Sequence, residues 1–222
     1  MSGRLIAVEG LDGSGKATQT ALLCKALAEQ GVNLRRVSFP DYEQPSSALV
    51  KMYLNGAFGT NPDDVNAYAA STFYAVDRFA SYRNFWEKDY QSGALIVADR
   101  YTTSNIVFQL SKLPKEQWDA FIDWLQDFEY NKLGLPRPDL TIYLSMPLEV
   151  SQKLLTSRYH GNESKKDIHE SNEAYLKACH QSAVFAAERL DWKIIRCAAG
   201  DAPKAAEEIH AEILQRVTNE MR

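Results

Sequence analysis

A chain of 222 residues with 45% hydrophobic and 24% charged residues has the size and balance of one folded domain and excludes broad disorder. Its net charge of −4 gives no hint of a basic surface large enough for nucleic acid, yet leaves room for small phosphorylated ligands, which need only a local concentration of positive charge. No apolar run approaches a membrane span. Cys24, Cys179 and Cys197 are odd in number and far apart, which favours free thiols in a reducing cytoplasm over a disulfide or a metal site.

The start, Met1-Ser2-Gly3-Arg4, runs directly into the apolar strand Leu5–Glu9, so no signal peptide is expected. Lys16–Gln30 carries Ala21, Leu22, Leu23, Ala26 and Leu27 at helical spacing and ends at Gly31. Leu34–Phe39 reads as a second strand stopped by Pro40. After the turn at Asn61-Pro62-Asp63 comes a long helix, with Val65, Ala69, Thr72, Phe73, Val76 and Phe79 as its expected inward stripe. Ala94–Ala98 and Thr141–Leu144 are further strands, the latter followed by Pro147 at the first position of a helix. Ser157–Lys166 is polar and reads from composition as a solvated loop between helical stretches. Lys193–Cys197 is a fifth strand, and a helix from around Pro203 closes the chain. Strands alternating with helices imply an α/β fold: a parallel five-stranded sheet with helices on both faces, and ligands beyond the carboxyl ends of its strands.

Gly10-Leu11-Asp12-Gly13-Ser14-Gly15-Lys16 fits G-x-x-x-x-G-K between a strand and a helix. Gly10, Gly13, Ser14 and Gly15 let backbone N–H groups wrap a phosphate, and the helix N-terminus with Lys16 adds positive charge. The motif asks for a hydroxyl on the next residue, where Mg²⁺ would bind, and Ala17 has none. Thr18 can still reach a phosphate, and Mg²⁺ is expected on nucleotide oxygens and water, with Asp99 behind them.

Taken in order, Glu9–Asp12, Phe39–Tyr42, Tyr74–Arg78, Asp99–Tyr101 with Ser104-Asn105, Pro138–Leu144 and Lys165–Glu170 resemble the thymidylate kinases, a family of P-loop nucleoside monophosphate kinases. The resemblance implies a single domain over residues 1–222 with a mobile lid within about 157–167, using ATP and Mg²⁺ to phosphorylate dTMP, and a homodimer built through helices. It implies that Arg100 grips the acceptor phosphate and that Asp12 accepts from the deoxyribose 3′-hydroxyl. Tyr74, where the family commonly has Phe, would stack on thymine, Arg78 would donate to its exocyclic oxygen, and Asn105 would read the base edge. Phe39, Tyr42 and Ser104 fall within the matching segments that line the acceptor site. Phe108 would lie against the deoxyribose C2′, although an isolated Phe in an apolar stretch is ordinarily a core residue. Some members carry a catalytic arginine in the phosphate loop. Gly13 here matches those that place cations in the lid, so Arg158, with Lys165 and Lys166 beside it, is the expected third catalytic group. Asp167, His169 and Glu170 would open the next helix facing the acceptor pocket. The alternatives are a kinase for another nucleoside monophosphate, which Tyr74, Arg78 and Asn105 disfavour, and a nucleotide-binding regulator without turnover, for which Ala17 is the only argument.

Overall fold

A computed structural model describes residues 2–158 and 167–221. Five strands form one parallel sheet: β1 (Arg4–Glu9), β2 (Leu34–Ser38), β3 (Leu95–Asp99), β4 (Leu140–Ser145) and β5 (Lys193–Arg196), in the order β2-β3-β1-β4-β5. All five are where the sequence puts them. The chain leaves β1 toward β2 and β3 on one side, then crosses to β4 and β5 on the other, so the crevice of this sheet opens above β1.

Alternation along β1 divides the core. Ile6 and Val8 face α1 (Lys16–Glu29) and the closing helix, joined by Leu23, Leu27, Ile209, Ile213 and Val217. Leu5 and Ala7 face the other way, against Tyr82, Trp86, Ile96, Ala98 and Tyr101. β3 is buried along its whole length, whereas the edge strands β2 and β5 mix buried and exposed residues.

Between β2 and β3 run α2 (Ala48–Leu54), α3 (Ala67–Ser81), a π-helical turn over Tyr82–Trp86, and α4 (Glu87–Gln91). The side chain of Asn66 caps α3 by accepting from the Ala69 N–H at 2.9 Å. The expected stripe holds at Val65, Ala69 and Phe73, which pack with Val50 and Tyr53, and is corrected further along α3. Val76 and Phe79 stand 50% and 38% exposed, while the buried face is Ala67, Ala70, Ser71, Ala75, Asp77, Arg78 and Ser81. Of that face Arg78 lines a cleft, with Tyr74 beside it, while Ala67 and Ala70 pack in the core.

After β3 come α5 (Thr102–Gln109) and α6 (Trp118–Gln126), then a second π-helical turn, Asp127–Lys132. α7 (Leu148–Arg158) follows β4, and α8 (Glu173–Arg189) precedes β5. Pro147 accepts from the Ser151 N–H at 3.0 Å, which makes it the residue just before the first turn of α7. Ala198–Ala199 pairs with Ala202–Pro203 in a small antiparallel ladder, and α9 (Ala206–Met221) begins only beyond it, later than the sequence suggests.

Candidate active site

The phosphate loop joins β1 to α1. Gly10, Gly13 and Gly15 have φ of 156°, 78° and 88°, and a Cβ on Gly10 would stand 2.5 Å from Ser14 Oγ and 2.9 Å from the Leu144 carbonyl oxygen. Lys16 does not extend from this loop. It is 7% exposed, and its Nζ donates to the Leu11 carbonyl at 2.8 Å, crossing the cradle from its own helix. Burial, then the neighbouring Arg100 cation, lowers its ammonium to about 8.

Arg100 follows the last residue of β3 with a left-handed backbone, φ 65°, an uncommon state for a residue with a Cβ and one found at functional positions. Its N–H donates to the Val8 carbonyl at 3.1 Å, and its guanidinium turns over the loop to pair with Asp12 and donate to the Gly10 carbonyl at 3.2 Å. Burial raises the Asp12 carboxyl, but Arg100 and Lys16 outweigh it and hold the group below its ordinary value. Asp99 lies 3.8 Å from Arg36 and lines the same groove as Lys16, Ala17 and Thr18.

A carboxylate the sequence reading passed over as a functional group organises this corner. Glu9, fully buried at the end of β1, accepts from the Tyr101 N–H at 3.0 Å and from the hydroxyls of Thr103 at 2.7 Å and Ser104 at 2.8 Å. It thereby places a negative charge at the N-terminus of α5 and fixes Ser104, which lies 3.5 Å from Arg100.

A second cleft adjoins the loop. Tyr74, Arg78, Asn105, Phe108 and His169 line it together with Asp12, Phe39, Tyr42, Arg100, Ser104 and Asp167. Asp12, Phe39, Tyr42, Arg100 and Asp167 also line the loop groove, so the two form one continuous trough. Asp77 accepts from Ser46 Oγ at 2.6 Å and from the Asp41 N–H at 2.9 Å, which holds the Phe39–Tyr42 segment along the rim.

Arg78 is 2% exposed between the rings of Phe39 and Tyr101, whose centroids lie 5.6 and 5.5 Å from its Cζ. Its Nε and Nη2 donate to Glu129 at 2.7 and 3.0 Å. Glu129 is the other residue that sequence reading missed. A signal existed: it stands four residues after Leu125, on the stripe of Trp118, Phe121, Ile122 and Leu125, a carboxylate where the helical period asks for an apolar group.

Phe108 is 7% exposed, stacked on His169 at 5.7 Å with 14° between the rings, and Arg100 Cζ lies 5.1 Å from its centroid. It is thus packed and yet a wall of the cleft. Asp167, His169 and Glu170 do not open α8. They form a turn before it, in which Asp167 Oδ1 accepts the N–H groups of His169 and Glu170 at 2.8 and 2.9 Å, and Asn172 caps the helix. Burial raises the Asp167 carboxyl to about 6 against those two bonds. His169 is buried rather than superficial, with Nε2 at 2.8 Å from the Tyr53 hydroxyl. Glu170 lines the loop groove. Arg158 ends α7, but its side chain, with Lys165 and Lys166 and most of the expected lid, lies outside the described residues.

A sequence model of the family described as thymidylate kinase matches residues 8–213. A thymidylate kinase of Mycobacterium tuberculosis is 30% identical over 148 residues, covering 66% of this chain and 68% of that one. Those of Schizosaccharomyces pombe and Homo sapiens are each 28% identical, covering 98% and 95% of this chain and 92% and 88% of theirs. A solved thymidylate kinase structure from Candida albicans superposes with a TM-score of 0.72 at 24% identity, over 99% of this chain and 93% of that one, a likeness of fold.

Proposed function

The chain belongs to the thymidylate kinase family, and from that premise we propose the site by which it transfers the γ-phosphoryl of ATP to dTMP, giving dTDP and ADP. The observation that carries the reading is the position of Arg100, whose one guanidinium bounds both the phosphate loop and the base cleft. ATP lies with its phosphates on the loop: Gly10, Gly13, Ser14, Gly15, Ala17 and Thr18 supply the cradle, and Lys16 swings from the Leu11 carbonyl to the transferring group. The acceptor phosphate sits on Arg100, where a planar, permanently charged fork meets its oxygens and steadies charge during transfer. Asp12 receives the 3′-hydroxyl, Tyr74 stacks on thymine, and Arg78 and Asn105 meet the base edge. Phe108 stands against the sugar, with Phe39, Tyr42, Ser104, Asp167, His169 and Glu170 completing the walls.

Mg²⁺ fits as a nucleotide-borne ion. Among the described residues no cluster of three His, Cys, Asp or Glu could hold a metal, and Ala17 offers a methyl in place of the motif's hydroxyl. An ion that keeps its waters and takes phosphate oxygens needs only one carboxylate nearby, and Asp99 is that group. Bound there, it would neutralise charge on the phosphate oxygens. Arg158 is proposed as the lid cation, because Gly13 leaves the loop without the arginine that some family members carry there. Residues 1–222 are read as one domain. The exposed apolar residues of α2 and α3, Leu49, Met52, Val76 and Phe79, support a homodimer. No helix among the described residues is long and apolar enough to cross a membrane, and three free thiols suit the cytoplasm proposed for the protein.

ADP release with ATP and each monophosphate tests the reading. dTMP is expected to be the preferred acceptor, and Arg100→Ala to lower kcat/KM by at least about a hundredfold. Turnover with another monophosphate but not dTMP, or full activity in Arg100→Ala, would overturn it.

A further inference from the structure

Arg78 and Asn105 share a partner that is on no wall of the cleft. Glu129 is fully buried in the π-helical turn after α6, and its Oε1 accepts from Asn105 Nδ2 at 2.9 Å as well as from Arg78 Nη2 at 3.0 Å. Asn105 Nδ2 also donates to the Ser71 carbonyl at 3.2 Å. Both groups facing that end of the Asn105 amide are acceptors without a proton to give, so the NH₂ must face them and the carbonyl must face away. A reversed amide would put three oxygens together in a dry site. Both Nδ2 protons are therefore used internally. Asn105 Oδ1 and Arg78 Nη1, which make no hydrogen bond among the described residues, are left for the cleft that both residues line.

We propose that Glu129 is a positioning residue that sets the polarity of base recognition, presenting one acceptor and one donor to the base edge. The inference rests on the reading that this cleft holds the base of the acceptor. Thymine and uracil offer N3–H as a donor beside O4 as an acceptor, the complement of Asn105 Oδ1 and Arg78 Nη1. Cytosine offers a bare N3 beside an amino group, so both contacts become repulsive or unpaired. Without Glu129, only the Ser71 carbonyl would orient the amide, and the choice between the two kinds of pyrimidine would weaken. The pairing also explains why a carboxylate is kept in an apolar stripe: removing one member of a buried pair leaves the other uncompensated.

The test is calorimetric titration of dTMP, dUMP and dCMP into the wild type and Glu129→Gln. The amide at that position supplies a donor, which lets Asn105 turn its carbonyl inward and its NH₂ toward the ligand. The dTMP-to-dCMP affinity ratio is expected to fall at least about tenfold, as the loss of one matched buried hydrogen bond implies. The dTMP-to-dUMP ratio should hold within about twofold, since those bases share the recognised edge. Equal losses for dTMP and dCMP would mean that Glu129 is structural only, and the proposal would fail. NMR on the unaltered protein provides a readout that does not depend on the variant folding. Without ligand, both Asn105 Nδ2 protons should already be protected from solvent exchange; unprotected protons would overturn the assigned orientation. A wild type that does not phosphorylate dTMP would count against the functional reading instead, and the NMR result would still decide the orientation.

Discussion

His169 is held neutral by its surroundings. Burial and then the Lys112 ammonium lower its pKa to about 3, and the Lys112 Nζ donates at 2.8 Å to the same Tyr53 hydroxyl that meets His169 Nε2. A lysine has no lone pair to offer, so the Tyr53 hydroxyl accepts from Lys112, and its one proton is shared between His169 Nε2 and the Pro62 carbonyl at 3.3 Å. Because the folded pKa lies below the unfolded value of about 6.5, the group's contribution to stability is complete above 6.5 and is lost as pH falls toward 3. Asp167 works in the opposite sense, its folded pKa of about 6 making its contribution complete below the unfolded value and lost as pH rises through 6. His169→Phe keeps a ring against Phe108 and leaves Asp167 in place. Between pH 6.5 and pH 5 it should lose about 2 kcal/mol less stability than the wild type. Urea unfolding at the two pH values measures this, and identical losses would mean that His169 titrates normally. Little of this could be read from the sequence. An isolated histidine in a polar stretch looks superficial, and only the approach of Tyr53 and Phe108, 116 and 61 residues away, buries it.

At the scale of elements, the phosphate loop is seated against α7. A Cβ on Gly13 would stand 2.6 Å from the Ser151 carbonyl oxygen and 3.1 Å from Leu155 Cγ, with φ at 78°. This loop position, where the sequence resemblance leads one to look for an arginine, has no room here for any side chain. Gly13→Ala is expected to push the loop off α7 and raise the KM for ATP by about tenfold, with a smaller effect on the KM for dTMP, since the left-handed backbone alone costs about 1 kcal/mol for a residue with a Cβ. Steady-state kinetics with each substrate varied in turn checks the split, and an unchanged KM for ATP would show that the contact yields freely. The strand–loop–helix unit was legible because glycine spacing and apolar runs are local. The inward face of α3 was not, since Val76 and Phe79 satisfy a helical period as well as Ala75 and Arg78 do. Periodicity finds a stripe but does not say which stripe meets the core.

In the whole molecule, that outward stripe has a consequence. Val76 and Phe79 on α3, with Leu49 and Met52 on α2, are each at least 38% exposed, and large exposed apolar side chains gathered on neighbouring helices mark association surfaces. Val76→Asp together with Phe79→Asp should convert the proposed dimer to a monomer in sedimentation equilibrium while leaving the helical circular dichroism intact. A wild type that sediments as a monomer at micromolar concentration would remove this reading. What the sequence determined by itself was whatever short-range pattern encodes: five apolar strands, the glycine loop that turns β1 into α1, and the order of segments that carries the family. What only the tertiary structure decided was long-range pairing. Glu9 to Tyr101, Thr103 and Ser104 spans about 90 residues and more, Arg100 to Asp12 spans 88, and Arg78 to Glu129 spans 51. The reason is physical. A buried carboxylate is tolerable only where a distant part of the chain brings it a donor, and no local spacing records which donor will arrive.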